Sequence, residues 1–387
     1  MSPILVLVAT LVRGRARQRQ EPALSTRRDV LTARDLPPLV TGALEAFFAS
    51  RRPLVEPIGP EYAAAMARLE AFVLSGGKRV RPMFAWLGWT AAGGDPTGPD
   101  AEQMVSACAA LELVQACALI HDDIIDNSDT RRGRPTVHVE FAADHAGNGW
   151  SGSADRFGMA AGIITGDLAL AWADDMFSGS GLPGPALARA RPVWAAMRTE
   201  VLGGQLLDIV AEASGDGRRG TAERINRFKT AAYTVERPLH LGAEIAGSDA
   251  RLIEDLRAFG AAIGVAFQLR DDLLGVFGDP AVTGKPSGDD LIEGKRTELI
   301  SRALDHGDQH DPAAASRLRG FLGRQLAADG VNEARAILHQ LGAVRAIEER
   351  IASLTDRALA ILETSSMAPG PKRQLQEMAL SVTRRDH

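Results

Sequence analysis

Apolar residues recur at helical spacing in segment after segment of this chain, and prolines and glycines punctuate the gaps between them. The pattern predicts an amphipathic helix over 37–52, a break at Pro53, Pro57 and Pro60, and a second helix over 61–74. An apolar helix follows over 83–92, closed by Gly93-Gly94-Asp95-Pro96. Asp100 with Gln103 reads as a capping pair for a long helix ending at Asp126, about 40 Å at 1.5 Å per residue. Residues 142–158 are polar and glycine-rich and read as a surface loop; helices resume over 162–177 and 194–210, with a loop over 212–220. The helix after that loop carries Lys229 and Thr230, an apolar segment runs over 259–267, and residues 298–363 alternate helical stretches with Gly/Asp breaks. The expected fold class is all-α.

At 387 residues the chain has room for one large domain or two, and the continuous helical periodicity, undivided by any Pro/Gly-rich linker, favours one over 36–387. Residues 1–35 read as a poorly ordered extension or a misassigned start. There the apolar run 3–12 precedes Arg13, Arg15, Arg17 and Arg19, the reverse of a secretory signal. No run of roughly 18 uninterrupted apolar residues predicts a transmembrane span. A net charge of −5 argues against a nucleic-acid partner. Only two cysteines occur, Cys108 and Cys117, both in one apolar helix, which excludes a disulfide framework and fits a reducing, cytoplasmic setting.

Chemistry concentrates where apolar segments end. Asp122, Asp123 and Asp126 close the long helix, and the first and last of them share a helix face. Like charges so placed repel unless a cation lies between them, and hard oxygens that leave most of a coordination sphere open suit Mg²⁺ shared with phosphate. Arg131, Arg132 and Arg134 follow, forks suited to phosphate oxygens. A DDxxD by itself is equally compatible with a solvated helix end. The feature recurs, however: Gln268-Leu269-Arg270-Asp271-Asp272 ends the 259–267 segment and leads to Gly284-Lys285-Pro286. A third element, Gly76-Gly77-Lys78-Arg79-Val80-Arg81-Pro82, sets Lys78 and Arg81 three apart behind two glycines, with Arg79 expected to face solvent. The pair Asp174-Asp175 has no phosphate-binding group after it and is not read as a metal site.

Taken together, GGKRVRP, LIHDDIIDNSDTRRGRPT, FKTAAYTVE, FQLRDDLLGVFGD and GKPSGDDLIEGKRT resemble the trans-polyprenyl diphosphate synthases from about Phe72 to Thr297. The resemblance implies a helical bundle of the isoprenoid synthase type around a deep central cavity, and condensation of isopentenyl diphosphate with an allylic diphosphate. It implies three Mg²⁺ ions on Asp122, Asp126 and Asp271, with Asp123 and Asp272 in support. Lys78, Arg81, Arg132 and Gln115 would hold isopentenyl diphosphate, although Gln115 also reads as a satisfied core amide. Arg131, Lys229, Lys285 and Lys295 would hold the allylic diphosphate, with Lys229, Thr230 and Gln268 at the reacting centre. Gln205 and Asp208 resemble a pair near the allylic substrate. A homodimer is implied as well.

The pattern departs at Gly275, where many relatives carry a third aspartate, so Asp271 is expected to suffice with Asp272 behind it. Cys117 and Ala118, both small, stand where short-chain synthases place an aromatic floor. The implied product is therefore geranylgeranyl diphosphate (C20), with C15 and longer chains as alternatives and Leu111 and Val114 as a deeper floor. A terpene cyclase would need an Asn/Asp-Ser/Thr-Glu triad in place of the second cluster. A regulatory subunit would have no use for the retained basic residues. At the C-terminus, Thr383-Arg384-Arg385 reads as a solvated tail.

Overall fold

The computed structural model describes residues 32–279 and 288–384, and nearly all of them are helical. In chain order the helices are α1 (Leu36–Val55), α2 (Pro60–Leu74), α3 (Val80–Ala91), α4 (Ala101–Ile125), α5 (Val137–Gly147), α6 (Ala154–Ser178), α7 (Gly184–Ser214) and α8 (Arg219–Ile225). An eleven-residue π-helix, Asn226–Glu236, leads into α9 (Arg237–Ala246) and α10 (Ala250–Phe277). The chain ends in α11 (Asp289–Ile292), α12 (Glu298–His310), α13 (Pro312–Phe321), α14 (Ala328–Gln340), α15 (Ala343–Thr364) and α16 (Pro369–Thr383). The one sheet among the described residues is a hairpin, β1 (Thr130–Arg131) with β2 (Arg134–Pro135).

Helix α4 is the axis of the molecule. Its buried residues, from Met104 and Cys108 through Leu111, Leu113 and Val114 to Ile120, face every direction, and α1, α3 and α6 pack around it. It is the one helix among the described residues long and apolar enough to cross a membrane, and 72% of that stretch is buried inside the protein. A helix apolar all round is a core helix when neighbours cover it. A second core joins α3, α9 and α10 to α16, and a third joins the end of α10 to α12–α15.

Several boundaries differ from the sequence reading, each for a local reason. Pro53 lies inside the last turn of α1 instead of ending it, and Gly59, with φ of +133°, makes the break. The stretch 142–158 is mostly helix: only 148–153 separates α5 from α6. Its small residues hid the periodicity, and His145, Trp150 and Phe157, packed edge to face and tilted against one another, close the connection. Asp100 precedes α4 with helical dihedrals, so its carboxylate cannot turn back and makes no cap bond. At the C-terminus Thr383 is buried, and its carbonyl accepts a bond from Arg270 Nε at 3.0 Å, so the chain is tied down as far as Arg384; Arg385 lies outside the described residues. Of the expected extension, residues 1–31 also lie outside, while Ala33 is buried and Arg34 pairs with Glu377 at 2.9 Å.

Helices α3 and α9 meet backbone to backbone. A Cβ on Gly88 would lie 2.2 Å from the Leu239 carbonyl oxygen, and one on Gly242 would lie 2.0 Å from that of Ala85. Gly88→Ala is expected to destabilise the fold by about 1–3 kcal/mol through overpacking, read as a lower urea midpoint at unchanged slope.

Candidate functional site

The two acidic clusters open onto one cavity of about 890 Å³, walled by α4, α7, the π-helix and α10. Asp122, Asp271 and Asp272 line it together with Lys78, Arg81, Gln115, Arg131, Arg132, Lys229, Thr230, Gln268 and Lys295. Asp126 joins through Lys295, whose ammonium stands 3.3 Å away. Every expected site residue is therefore gathered at one place, except Lys285, which lies outside the described residues, and Asp123, which is buried behind the wall.

Two lysines hold the acids. Lys229 donates to Asp122 Oδ1 at 3.0 Å and to Asp208 Oδ2 at 2.6 Å, and Gln205 Nε2 also donates to Asp122. Lys295 reaches Asp126 and Glu293, the latter at 2.6 Å. Burial opposes the charge on Asp122, but Lys229, Lys295 and Arg131 outweigh it and hold its carboxyl below the ordinary range. Asp126 moves the other way: burial and its neighbour Asp122 push it up against the pull of the lysines. Lys229 and Lys295 are both raised, burial being outweighed by the acids around them. In the second cluster, burial pushes the Asp272 carboxyl up to about 8 although Gln268 Nε2 donates to it at 2.7 Å, while Asp271 faces the cavity.

The basic residues are aimed by backbone geometry. Arg132 and Gly133, with φ of +54° and +72°, form the tight turn between β1 and β2, the conformation that a two-residue hairpin demands. That turn sends Arg131 back onto Asp123, which accepts from its Nε at 2.8 and 2.9 Å. Arg132 goes forward to the Gly76 carbonyl at 3.1 Å, bringing the hairpin and the glycine loop together. Arg81 donates to Thr234 at 2.9 Å and lies over the Tyr233 ring at 4.0 Å.

Arg79 does not face solvent. Its φ of +49° turns the side chain inward, where it meets Glu112 at 2.6 Å and the Val73 carbonyl at 2.9 Å. The glycine-rich turn needs a left-handed residue at this point, and the buried carboxylate of Glu112 on α4 supplies the partner. The two residues thus lock the glycine loop to the central helix, a link whose separate halves carry no joint signal in the sequence.

The π-helix places Lys229. Gly204 of α7 and Gly264 of α10 let both helices touch its backbone, since a Cβ on either would meet Lys229 N at 2.3 Å or Ala231 O at 2.6 Å. Buried Glu236 anchors its end by accepting from Arg227 and Arg257. Tyr233, Thr234 and Asn226 line the same cavity and were missed in the sequence; only their proximity to Lys229 along one segment pointed to them.

The apolar wall also differs in detail. Ala118 and Leu119 line the cavity, whereas Cys117 is buried toward α6, its Sγ 3.7 Å from His121 Nδ1, and Leu111 and Val114 are in the core. Asp174 is a structural acid that accepts from Trp194 Nε1 at 2.8 Å and pairs with Arg198.

A model of the polyprenyl synthetase family matches residues 64–338. The chain belongs to that family. A geranylgeranyl pyrophosphate synthase from Corynebacterium glutamicum, solved with isoprenyl diphosphate and magnesium, superimposes on the synthase with a TM-score of 0.89. It is 47% identical over 92% of this chain and 100% of its own. A geranylfarnesyl diphosphate synthase from Aeropyrum pernix is 30% identical over 80% of this chain and 90% of its own length. Heptaprenyl diphosphate synthase component 2 from Geobacillus stearothermophilus is 32% identical over 85% and 91%. The synthase is thus an enzyme of prenyl transfer.

Its acids suit Mg²⁺. Asp122 and Asp271 present hard carboxylate oxygens to the same cavity as the bases that suit diphosphate, the donor type Mg²⁺ takes together with phosphate oxygens. The Arg79–Glu112 pair is a separate, structural matter. Arg79→Met leaves Glu112 buried without a partner and is expected to cost about 3–5 kcal/mol, while adding Glu112→Leu restores most of it; urea unfolding of both variants measures this.

Proposed function

We propose that the synthase extends an allylic diphosphate with isopentenyl diphosphate and releases geranylgeranyl diphosphate. The observation that carries this is the single cavity onto which both acidic clusters, the glycine-loop bases and a small-residue apolar wall all open. Asp122, Asp126 and Asp271 would hold three Mg²⁺ ions, whose charge offsets that gathering on the departing diphosphate. Lys229, Arg131 and Lys285 would bind the same group. When diphosphate enters, Lys229 and Lys295 exchange carboxylate partners for phosphate oxygens, a swap between acids that leaves both lysines charged. Lys78, Arg81, Arg132 and Gln115 would orient isopentenyl diphosphate, turning an encounter into an aligned attack. The allylic C–O bond breaks with its electron pair on diphosphate, the isopentenyl double bond attacks C1, and the proton released passes to the departing diphosphate. Thr230 and Gln268 would line the path of the developing positive charge.

Product length follows the apolar wall. Each added isoprene buries five carbons, worth roughly 4 kcal/mol at about 0.8 per CH₂, so an open wall is filled. Ala118 leaves it open at the turn above Asp122. Incubation with isopentenyl and geranyl diphosphates and Mg²⁺ is expected to give C20 by mass analysis, and Ala118→Phe is expected to stop at C15. Cys117→Phe, directed at α6, is expected to lower stability without shortening the product.

A homodimer completes the reading. Leu202, Leu206, Ile209 and Val210 form an exposed apolar stripe on α7, and Met159, Ile163 and Ile164 are exposed on α6, a face suited to pairing with a second copy. The two free, buried cysteines accord with a cytoplasmic location. Leu206→Glu is expected to convert a two-chain sedimenting species to one chain. Turnover by the purified chain alone distinguishes this from a component that needs a different partner, the assembly that the Geobacillus relative's name describes.

A further inference from the structure

Residues 226–236 are wound as a π-helix, whose i→i+5 bonds complete a turn in roughly four and a half residues instead of 3.6. An ion pair runs along almost its whole length: Arg227 Nη2 donates to Glu236 Oε2 at 3.2 Å. Nine residues of α-helix make two and a half turns, so the two side chains would leave opposite sides with about 13 Å of rise between them. At π winding nine residues make roughly two turns, and the same side chains stand on one line. The pair closes on one winding and not on the other.

The carboxylate that receives Arg227 is itself fixed. Glu236 is 3% exposed, a Cβ on Gly260 of α10 would lie 2.7 Å from its Cα, and its Oε1 accepts from Arg257 of α10 at 3.1 Å. Arg227 is 44% exposed, and its guanidinium also lies 5.8 Å from the ring of Phe228, a sequence neighbour that either winding keeps close. Gly204 and Gly264 give the wide backbone room but, lacking side chains, cannot choose its winding. Lys229 lies inside the span that the pair closes. Seven residues from Glu236, it would swing through roughly a third of a turn if the span rewound as α-helix, away from Asp122 and Asp208, to which it donates at 3.0 and 2.6 Å.

We propose that Arg227 is a positioning residue for Lys229: by pairing with Glu236 across nine residues it selects the π winding that turns Lys229 into the cavity. Arg227 itself stands outside the cavity and touches no substrate. Its effect on diphosphate rests on the prenyl-transfer reading above, whereas its effect on winding does not.

The test titrates inorganic diphosphate calorimetrically into the full chain with Mg²⁺ and follows amide hydrogen exchange over 226–236. Arg227→Met keeps a long side chain and removes its charge. It is expected to weaken diphosphate binding by about 10-fold or more and to speed exchange across the segment by a similar factor. In a Lys229→Met background, Arg227→Met is expected to weaken binding no further, because the residue acts through that ammonium. Arg257→Met takes the other partner from the same carboxylate without touching the span, and is expected to leave diphosphate binding at the wild-type value. Either quantity unchanged in Arg227→Met overturns the proposal, as does a loss of binding that persists in the absence of Lys229. An Arg257→Met protein that loses as much affinity as Arg227→Met overturns it too, since neutralising Glu236 would then be the whole role of both arginines. If the wild type itself binds no diphosphate with Mg²⁺, the prenyl-transfer reading falls, and exchange over 226–236 in Arg227→Met still decides whether the pair holds the winding.

Discussion

Carboxylates of like charge at the ends of two helices, turned toward one cavity, set the problem that the rest of this structure answers. Four residues apart on an exposed helix, such charges cost a few tenths of a kcal/mol; in a desolvated cavity they cost more. Lys229 and Lys295 meet that cost by crossing from other elements to Asp122 and Asp126. In the proposed reaction the same lysines would trade a carboxylate partner for oxygens of a polyanion that carries its own divalent cations. Lys229 keeps Asp208 as a second partner, so it is positioned whether or not Asp122 is engaged.

Rigidity comes from what lies behind the cavity. Helix α4 is covered on all sides, so its acidic last turn is held at a fixed place while α7, the π-helix and α10 close the opposite wall. The eleven-residue π-helix costs regular hydrogen bonding, and bare glycine backbones on both neighbours and the buried Glu236 at its end support it. Such irregularity persists where surroundings over-determine it, and here it sets Lys229 and Thr230 against the two clusters. Around the glycine loop the same logic is electrostatic: Arg79, left-handed and buried, ties the loop to Glu112 of α4.

Close backbone approach decides several of these contacts. At Gly88 and Gly242 it draws α3 and α9 together, and at Gly275 it admits a carboxylate from another element. A family pattern read along the chain counts Gly275 as a missing acid. In three dimensions the carboxylate of Asp290 stands in the space that a side chain at 275 would take.

The sequence by itself determined the helical class and the charged residues that meet at one cavity, because acids and bases at the ends of apolar helices leave a local, periodic trace. It also placed Asp174 and Asp175 outside the site. It erred where small residues blurred the periodicity between α5 and α6, and at Asp100, whose backbone dihedrals forbid the cap its side chain seemed made for. Only the tertiary structure decided that Arg79 turns inward to Glu112, that Cys117 faces α6 while Ala118 faces the cavity, and that Asp290 fills the room of Gly275. The physical reason is common to all three: each depends on the direction in which one side chain leaves the backbone, and neither residue type nor spacing encodes direction.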